Sequence, residues 1–121
     1  MANVKELVGK VCKSVVRNED EIIFTLIDDR KFKLYHRSDC CEEVWIESVT
    51  GDLHDLEYNT MLMAEESFSN DNPIVVEGCS PPDSFTWTFY KFATIKGYVD
   101  IRFYGESNGY YSETADFEEM T

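Results

Sequence analysis

The amino-acid sequence predicts a single domain of mainly antiparallel β-structure (α+β), with about seven strands in a meander, a sandwich or a partly open barrel and one or two short helices. The length of 121 residues fits one domain that can bury its own core. Hydrophobic residues make up 43% of the chain and aromatic residues 14%, enough apolar surface to offset the entropy of ordering. Successive short segments alternate apolar and polar residues with a period of two, which is typical of half-buried strands.

The first part of the chain is predicted to form a short helix followed by a three-stranded meander. Residues 3–9 allow one or two helical turns, with Asn3 as the N-terminal cap and Gly9 as the stop. The three strands that follow are rich in β-forming residues and are separated by short polar turns. They are predicted at residues 10–17, 21–27 and 31–36.

The second part is predicted to contain further strands, a short helix and a long loop. The helix is expected at residues 52–57, where acidic residues occupy the first turn and suit the helix dipole. The loop is expected at residues 70–83, which include three prolines and one glycine. The segment from Gly105 to Gly109 is predicted to be a tight turn whose glycines supply positive φ angles. The strands are predicted at residues 44–49, 61–68, 84–94, 98–104 and 110–117.

Negative charge is concentrated in the middle of the chain. The net charge is -13, and the segment from Ser38 to Tyr90 contains 12 acidic residues and no lysine or arginine. Such a field disfavours direct binding to nucleic acid or anionic lipid and favours a basic protein partner, although charge of this kind also serves solubility. We predict an acidic partner-binding face formed by Asp39, Glu42, Glu43, Glu47, Asp52, Asp55 and Glu57.

The cysteines and histidines do not have the spacing of a zinc site, in which paired ligands lie two to four residues apart and the pair recurs. We therefore expect thiols rather than metal ligands or disulfides, and no cofactor. Cys40 or Cys41 could act as a nucleophile with His36 as its base, but the acidic residues beside the pair disfavour a thiolate. No catalytic residue is predicted. The four cysteines are Cys12, Cys40, Cys41 and Cys79.

Aromatic residues are concentrated between residues 87 and 111. Neighbouring residues of a strand point to opposite faces, so some of these side chains must reach the surface. We predict Tyr104, Tyr110 and Tyr111 as aromatic anchors of a protein interface. The alternative is a ligand pocket in which Arg102, Tyr104 and Tyr110 hold a small nucleotide-like molecule.

Three stretches of the sequence together resemble a known family. They are DCCE at residues 39–42 leading to GDL at residues 51–53, WTFYK at residues 87–91, and RFYGESNGYYS at residues 102–112. The family comprises small bacteriophage and prophage proteins labelled as a domain of unknown function, and the likeness extends from about Leu7 to Phe117. The resemblance brings no activity and no catalytic residue. It implies a phage accessory protein, and many small acidic proteins of this kind inhibit a host or anti-phage defence protein by binding it, some by imitating the charge of nucleic acid.

The sequence thus favours a non-enzymatic acidic binding protein, expected to be a phage-encoded inhibitor that contacts the basic face of a host or defence protein. One alternative is a protein that sequesters a small nucleotide-like signal molecule, and a third is a metal-dependent hydrolase. No apolar run approaches the roughly 20 residues that cross a bilayer, and the first residues lack the apolar region of a signal peptide. We therefore expect the host bacterial cytoplasm and no membrane contact. The oligomeric state stays open, and a homodimer is compatible with the sequence.

Overall fold

The computed structural model describes residues 2–38, 42–71, 73–74, 77–78, 82–109 and 112–120. Within these ranges the chain forms eight strands in two four-stranded antiparallel sheets, with two 3-10 helices, no α-helix and no closed barrel. The strands are β1 (Cys12–Asn18), β2 (Glu21–Leu26), β3 (Lys31–Tyr35), β4 (Glu43–Thr50), β5 (Met63–Ser69), β6 (Ser84–Thr94), β7 (Gly97–Ser107) and β8 (Asp116–Met120). The 3-10 helices are η1 (Val4–Leu7) and η2 (Leu53–Leu56). The first sheet has the order β1-β2-β3-β8, and the second has the order β4-β7-β6-β5. The predicted antiparallel β fold is confirmed.

The N-terminal helix η1 begins at Val4, and Asn3 is its N-terminal cap, as predicted. The Asn3 side chain accepts a hydrogen bond from the Lys5 N–H at 2.9 Å, and the Glu6 carboxylate accepts one from the Asn3 N–H at 2.8 Å. This reciprocal cap satisfies two of the N–H groups that a helix start leaves without partners. Val4 and Leu7 are buried, so the single turn of helix closes one side of the core.

The first sheet contains the predicted meander of β1, β2 and β3, and β8 completes it by pairing with β3. The regular alternation expected in β1 is interrupted by a bulge between Cys12 and Ser14. Because the bulge adds a residue to one strand, Cys12 and Val15 both face the core although they are three positions apart.

The second sheet is built on the long hairpin of β6 and β7. Every residue from Ser84 to Thr94 pairs with a residue between Gly97 and Ser107, around a turn at residues 95–96. Alternate residues of this ribbon face the core and are buried: Thr88, Tyr90, Phe92, Val99, Ile101 and Phe103. The residues between them face outward: Phe85, Trp87, Phe89, Lys91, Asp100, Arg102 and Tyr104.

The hydrophobic core lies between the two sheets. The Phe24 ring of β2 lies 5.1 Å from the Phe92 ring of β6, measured between centroids, so aromatic contacts join one sheet to the other. Within the first sheet, Phe32 and Phe117 stack with a centroid distance of 5.3 Å. These four rings anchor a continuous cluster of buried side chains.

Two predicted boundaries in the C-terminal region are wrong. The strand expected at residues 110–117 begins at Asp116, and residues 112–115 are not part of any strand, while residues 110 and 111 lie outside the described residues. Gly105, predicted at the start of a turn, lies inside β7 instead. It is required because the chain passes directly over it: a Cβ atom there would lie 2.0 Å from the Glu113 carbonyl oxygen and 2.9 Å from a Val44 methyl group. Gly109 does have a positive φ, of 96°.

In the described part of the chain, neither of the two short helices has the length and apolar character needed to cross a bilayer.

We predict that Gly105→Ala lowers the free energy of unfolding by at least about 2 kcal/mol, since the added methyl group collides with backbone rather than with a flexible side chain. Chemical denaturation of the variant measures this loss. Thr50→Ala, an exposed position on the neighbouring strand β4, is the matched control and should change stability little. A Gly105→Ala protein as stable as the control would contradict the close approach of residue 113.

Candidate functional site

The outward face of the second sheet carries its side chains in rows that run across the four strands. The strand register sets three rows, which we name by their content. The aromatic row is Trp45, Tyr104, Trp87 and Ser69. The middle row is Ser48, Arg102, Phe89 and Ser67. The charged row is Thr50, Asp100, Lys91 and Glu65.

Tyr104 is fully buried at the centre of an aromatic cluster on this outward face. The rings of Trp87 and Trp45 lie 4.7 and 5.1 Å from the Tyr104 ring in edge-to-face contact, and the Phe85 ring lies 6.2 Å away. The Tyr104 hydroxyl accepts a hydrogen bond from the Ile74 N–H at 3.1 Å, so Ile74, between β5 and β6, contacts the hydroxyl end of the ring. Burial raises the pKa of Tyr104.

This position corrects the prediction that Tyr104 is an exposed anchor or a pocket wall. Tyr104 lies outside the core cluster between the sheets, yet its exposed fraction is 0%. Its role in the described structure is to hold the neighbouring tryptophans. Tyr110 and Tyr111 lie outside the described residues.

Arg102 lies beside the aromatic row and is held from two directions. Its Nε and terminal Nη2 both donate to the Oε2 atom of Glu47, at 2.6 and 2.5 Å. Its guanidinium carbon also lies 5.1 Å from the centre of the Trp87 ring, a cation–π arrangement. The Arg102 side chain is 42% exposed, so a partner can reach it, but its charge is already paired.

The middle and charged rows form the floor of an open trough with a volume of about 590 Å³. Phe89 contributes a half-buried ring to the floor, and Glu65 is exposed on β5. Lys91 lies 4.0 Å from an Asp100 carboxylate oxygen. Lys5 from η1 lines the end of the trough beyond β5. We call this cavity the outer trough.

The charges of the outer trough nearly cancel. Its basic side chains are Lys5, Lys91 and Arg102. Its acidic side chains on the outward face are Glu65 and Asp100, together with Glu47, which pairs with Arg102. Glu66 also lines the trough, but it is opposite the inward-facing Tyr90, and its carboxylate accepts a hydrogen bond from the Tyr90 hydroxyl at 2.6 Å. Two of the three basic groups are in ion pairs with carboxylates of the same face.

Charge is distributed unequally between the two sheets. The strands of the first sheet carry four basic and four acidic residues, and Lys33 of β3 lies 4.0 Å from a carboxylate oxygen of Glu21 in β2. The strands of the second sheet carry two basic and six acidic residues, a net charge of -4. The acidic residues are Glu43, Glu47, Glu65, Glu66, Asp100 and Glu106. Four of the 12 acidic residues between Ser38 and Tyr90 therefore lie on strands of the second sheet, and none lies on a strand of the first.

The residues of the predicted acidic face do not form one compact surface. Glu43 and Glu47 lie on the edge strand β4 and are exposed, whereas Asp52 and Asp55 belong to η2 beyond its other end. A strand of this length separates its two ends by about 23 Å. Glu43 and η2 can therefore touch a partner together only if that partner extends along the whole edge.

Two of these acidic residues complete the local structure around η2. The Asp52 carboxylate accepts a hydrogen bond from the His54 N–H at 2.9 Å and caps the helix. The Glu57 carboxylate accepts one from the Val15 N–H of β1, also at 2.9 Å, and so closes the edge of the first sheet. Asp52 and Glu57 were predicted as surface contacts, but both carboxylates form hydrogen bonds within the fold.

Glu42 is buried, which corrects its prediction as part of an exposed face; Asp39 lies outside the described residues. The Glu42 side chain has an exposed fraction of 0% and lies 3.1 Å from Nε2 of His36, which is itself only 4% exposed. The Nδ1 atom of His36 donates to the Thr114 carbonyl oxygen at 2.8 Å, since a carbonyl only accepts. One proton is then shared between His36 Nε2 and Glu42, because two bare acceptors would repel each other.

We predict that His36→Ala lowers the free energy of unfolding by about 3 kcal/mol, because it leaves a buried carboxylate without its imidazole partner. Replacing both residues, as His36→Ala with Glu42→Leu, should restore part of this loss. A double-mutant cycle measured by chemical denaturation gives the coupling. Losses that simply add would show that the two side chains do not depend on each other.

A second histidine–glutamate pair lies at the surface. His54 Nδ1 is 2.9 Å from a Glu57 carboxylate oxygen. The hydrogen bond to Glu57 raises the pKa of His54. Burial acts to raise the pKa of Glu57, but the hydrogen bonds from His54 and from the Val15 N–H outweigh it and lower that pKa.

The raised pKa of His54 makes a testable contribution to stability. A group whose pKa rises on folding stabilises the protein below its unfolded pKa, about 6.5, and this contribution is lost as pH rises through the folded pKa. The difference in unfolding free energy between the wild type and His54→Gln should therefore be larger at about pH 5.5 than at about pH 8.5. Denaturation at both pH values tests this, and a difference that does not change with pH would contradict it.

No group of three or more potential metal ligands occurs among the residues that the structure describes. Cys12 is a buried free thiol, and burial, with the nearby Glu57 charge, raises its pKa to about 11. A thiol with this pKa is protonated at neutral pH and a poor nucleophile. Cys40, Cys41 and Cys79 lie outside the described residues, so the disfavoured alternative of Cys40 or Cys41 as a nucleophile with His36 as its base is not tested by the contacts described.

One signal in the sequence could have revealed the rows. The segments at residues 84–94 and 97–107 have equal length and are separated by two residues, the commonest length of a hairpin turn. Pairing them around that turn places Trp87 opposite Tyr104 and Phe89 opposite Arg102. The positions of β4 and β5 beside the hairpin had no such local signal.

The chain belongs to the family described as Domain of unknown function (DUF7448), whose model matches residues 5–117. A comparison with curated proteins and a comparison with solved structures gave no match. The family assignment covers nearly the whole chain and gives it no activity.

Proposed function

We propose that this protein is a non-enzymatic binding protein that contacts a basic protein surface through the outward face of its second sheet. The observation that carries the proposal is the unequal distribution of charge. The strands of the first sheet are neutral in sum, and those of the second have a net charge of -4. A field that is concentrated on one side speeds and orients the encounter with a basic partner.

The arrangement of the face supports the same function. Trp87 and Phe89 are partly exposed on the inner strand β6, and Trp45 on the edge strand β4 and Phe85 at the start of β6 are also partly exposed. Acidic residues of the outward face lie on both edge strands, Glu43 and Glu47 on β4 and Glu65 on β5.

Protein interfaces commonly combine aromatic residues at the centre with a polar, solvent-accessible rim. In the proposed complex the acidic rim sets the rate of association, and the aromatic centre sets the lifetime.

The biological setting of the proposal comes from the resemblance to phage and prophage proteins. In that setting the basic partner is a host protein or an anti-phage defence protein in the bacterial cytoplasm, and the complex inhibits it. The acidic surface then occupies a basic surface that otherwise binds nucleic acid or another acidic ligand.

A second candidate function is sequestration of a small nucleotide-like molecule in the outer trough. Its volume of about 590 Å³ falls in the range of ligand pockets, and Phe89 and Arg102 could stack on a base and contact a phosphate. The ion pairs of Arg102 with Glu47 and of Lys91 with Asp100 weigh against it, since a phosphate must compete with carboxylates already in place. We therefore favour the basic protein partner.

We predict that neutralising Glu43 and Glu65 together, as Glu43→Gln with Glu65→Gln, slows association with the partner about threefold or more at low salt. Both side chains are exposed, so the fold should be unaffected. The partner is first captured by crosslinking from a bacterial lysate and identified by mass spectrometry. Association rates are then measured by surface plasmon resonance at low and high salt.

The matched control removes the same charge from turns of the first sheet, as Glu19→Gln with Asp28→Asn, both exposed. This variant should associate at nearly the wild-type rate. Equal slowing by both double variants, or a rate independent of salt, would contradict a contact made by the second sheet.

A further inference from the structure

We propose that the outer trough receives an arginine side chain of the partner, whose guanidinium group stacks on the Phe89 ring and pairs with the Glu65 carboxylate. The inference rests on the proposed function and names the group that the surface recognises. The trough lies between the edge strands β4 and β5, which both carry acidic residues, so a side chain of a basic partner that contacts both edges can enter it.

The protein itself shows that this face accommodates a guanidinium group. Arg102 lies with its guanidinium carbon 5.1 Å from the centre of the Trp87 ring and donates to the Glu47 carboxylate at 2.6 Å. Aromatic stacking combined with a carboxylate is the environment that suits the planar guanidinium better than a lysine ammonium.

The same pair of groups recurs one step along the sheet. Phe89 follows Trp87 by two residues in β6, and the two rings are nearly parallel, with an interplanar angle of 10° and centroids 6.3 Å apart. Glu65 lies on β5, diagonal to Phe89, because Phe89 is opposite Ser67 in the register. Diagonal neighbours in a sheet lie about 7 Å apart, a gap that a long side chain can span. Arg102 and Glu47 occupy the Trp87 end, and the Phe89 end holds the open volume.

The position of the remaining charges favours a cation beside Phe89. Arg102 is paired with Glu47, and Lys91 lies 4.0 Å from Asp100. Of the remaining lining charges, Lys5 is basic and Glu65 is acidic, while the Glu66 carboxylate accepts a hydrogen bond from the Tyr90 hydroxyl at 2.6 Å on the other face of the sheet. Glu65 is diagonal to Phe89, so it attracts an arginine that stacks on this ring and repels a phosphate placed there.

Hydroxyl groups around the floor supply the remaining hydrogen-bond acceptors. Ser48, Thr50 and Ser67 all line the trough. A guanidinium carries five N–H donors and no acceptor, so it needs several oxygen atoms around its edge. Glu65 supplies two of these atoms and the hydroxyl groups can supply others.

The test uses N-acetyl-arginine amide as the probe and follows the backbone amide signals of the full chain by NMR. We expect saturable shifts at Phe89, Lys91 and Glu65, with a Kd of about 1 mM for a ligand of this size. N-acetyl-citrulline amide has nearly the same shape without the charge and should bind at least about tenfold more weakly. Adenosine monophosphate is the anionic probe and should give no saturable shift.

Two variants locate the site. Glu65→Gln and Phe89→Leu should each weaken the arginine probe severalfold. Glu19→Gln makes the same change of charge in an exposed turn of the first sheet, outside the trough, and should leave binding of the probe unchanged. Equal effects of Glu19→Gln and Glu65→Gln, tighter binding of adenosine monophosphate, or no shift with the arginine probe would each overturn the inference.

The failure of this inference is distinguishable from the failure of the proposed function. If the captured partner still associates in a salt-dependent manner that requires Glu43 and Glu65, but the arginine probe does not shift the trough, the partner binds this face without an inserted arginine. If association is also insensitive to those two residues, the proposed function itself is wrong.

Discussion

The turn at residues 95–96 determines the register of the β6–β7 hairpin, and this register decides both what fills the core and what faces outward. Phe92, Ile101 and Phe103 lie in the core because of it, while Trp87 and Arg102 lie on the opposite face. Since side chains of a strand alternate, a slip of one residue would place the polar side chains in the core and the apolar ones in solvent. The core and the candidate site are therefore two faces of one ribbon, and neither can shift without the other.

Local signals in the sequence were sufficient for most of the fold. The Asn3 cap, the Asp52 cap and the limits of β6 agree with the prediction, because each depends on residues close together in the chain. The prediction failed where a distant segment determines the outcome. Gly105 was predicted in a turn, but it lies in β7. Glycine is required there because Glu113, eight residues later, passes so close that no side chain fits.

Burial was harder to predict than the alternation of faces. Tyr104 faces outward as its position in β7 requires, yet it is buried because two tryptophans surround it and Ile74 contacts its hydroxyl end. Glu42 is buried for a similar reason, since its partner His36 comes from the region after β3. Alternation indicates which face of a sheet a residue occupies, but only the tertiary structure shows whether that face is covered. For the same reason Arg102 could be predicted as a candidate binding residue, whereas its ion pair with Glu47 could not.

The edges of the sheets explain how the acidic residues divide between structural and surface roles. An exposed strand edge offers unpaired backbone groups to other chains, and proteins protect such edges with side chains or short segments. Here the Glu57 carboxylate accepts the Val15 N–H at the β1 edge, and the Asp20 carboxylate accepts the Ile46 N–H at the β4 edge. Carboxylates used in this way are part of the fold, so replacing them changes stability as well as charge. Glu43 and Glu65 are exposed and accept no such backbone bond within the described residues. A change in binding that follows their replacement therefore reports on the surface charge of the second sheet rather than on the stability of the sandwich beneath it.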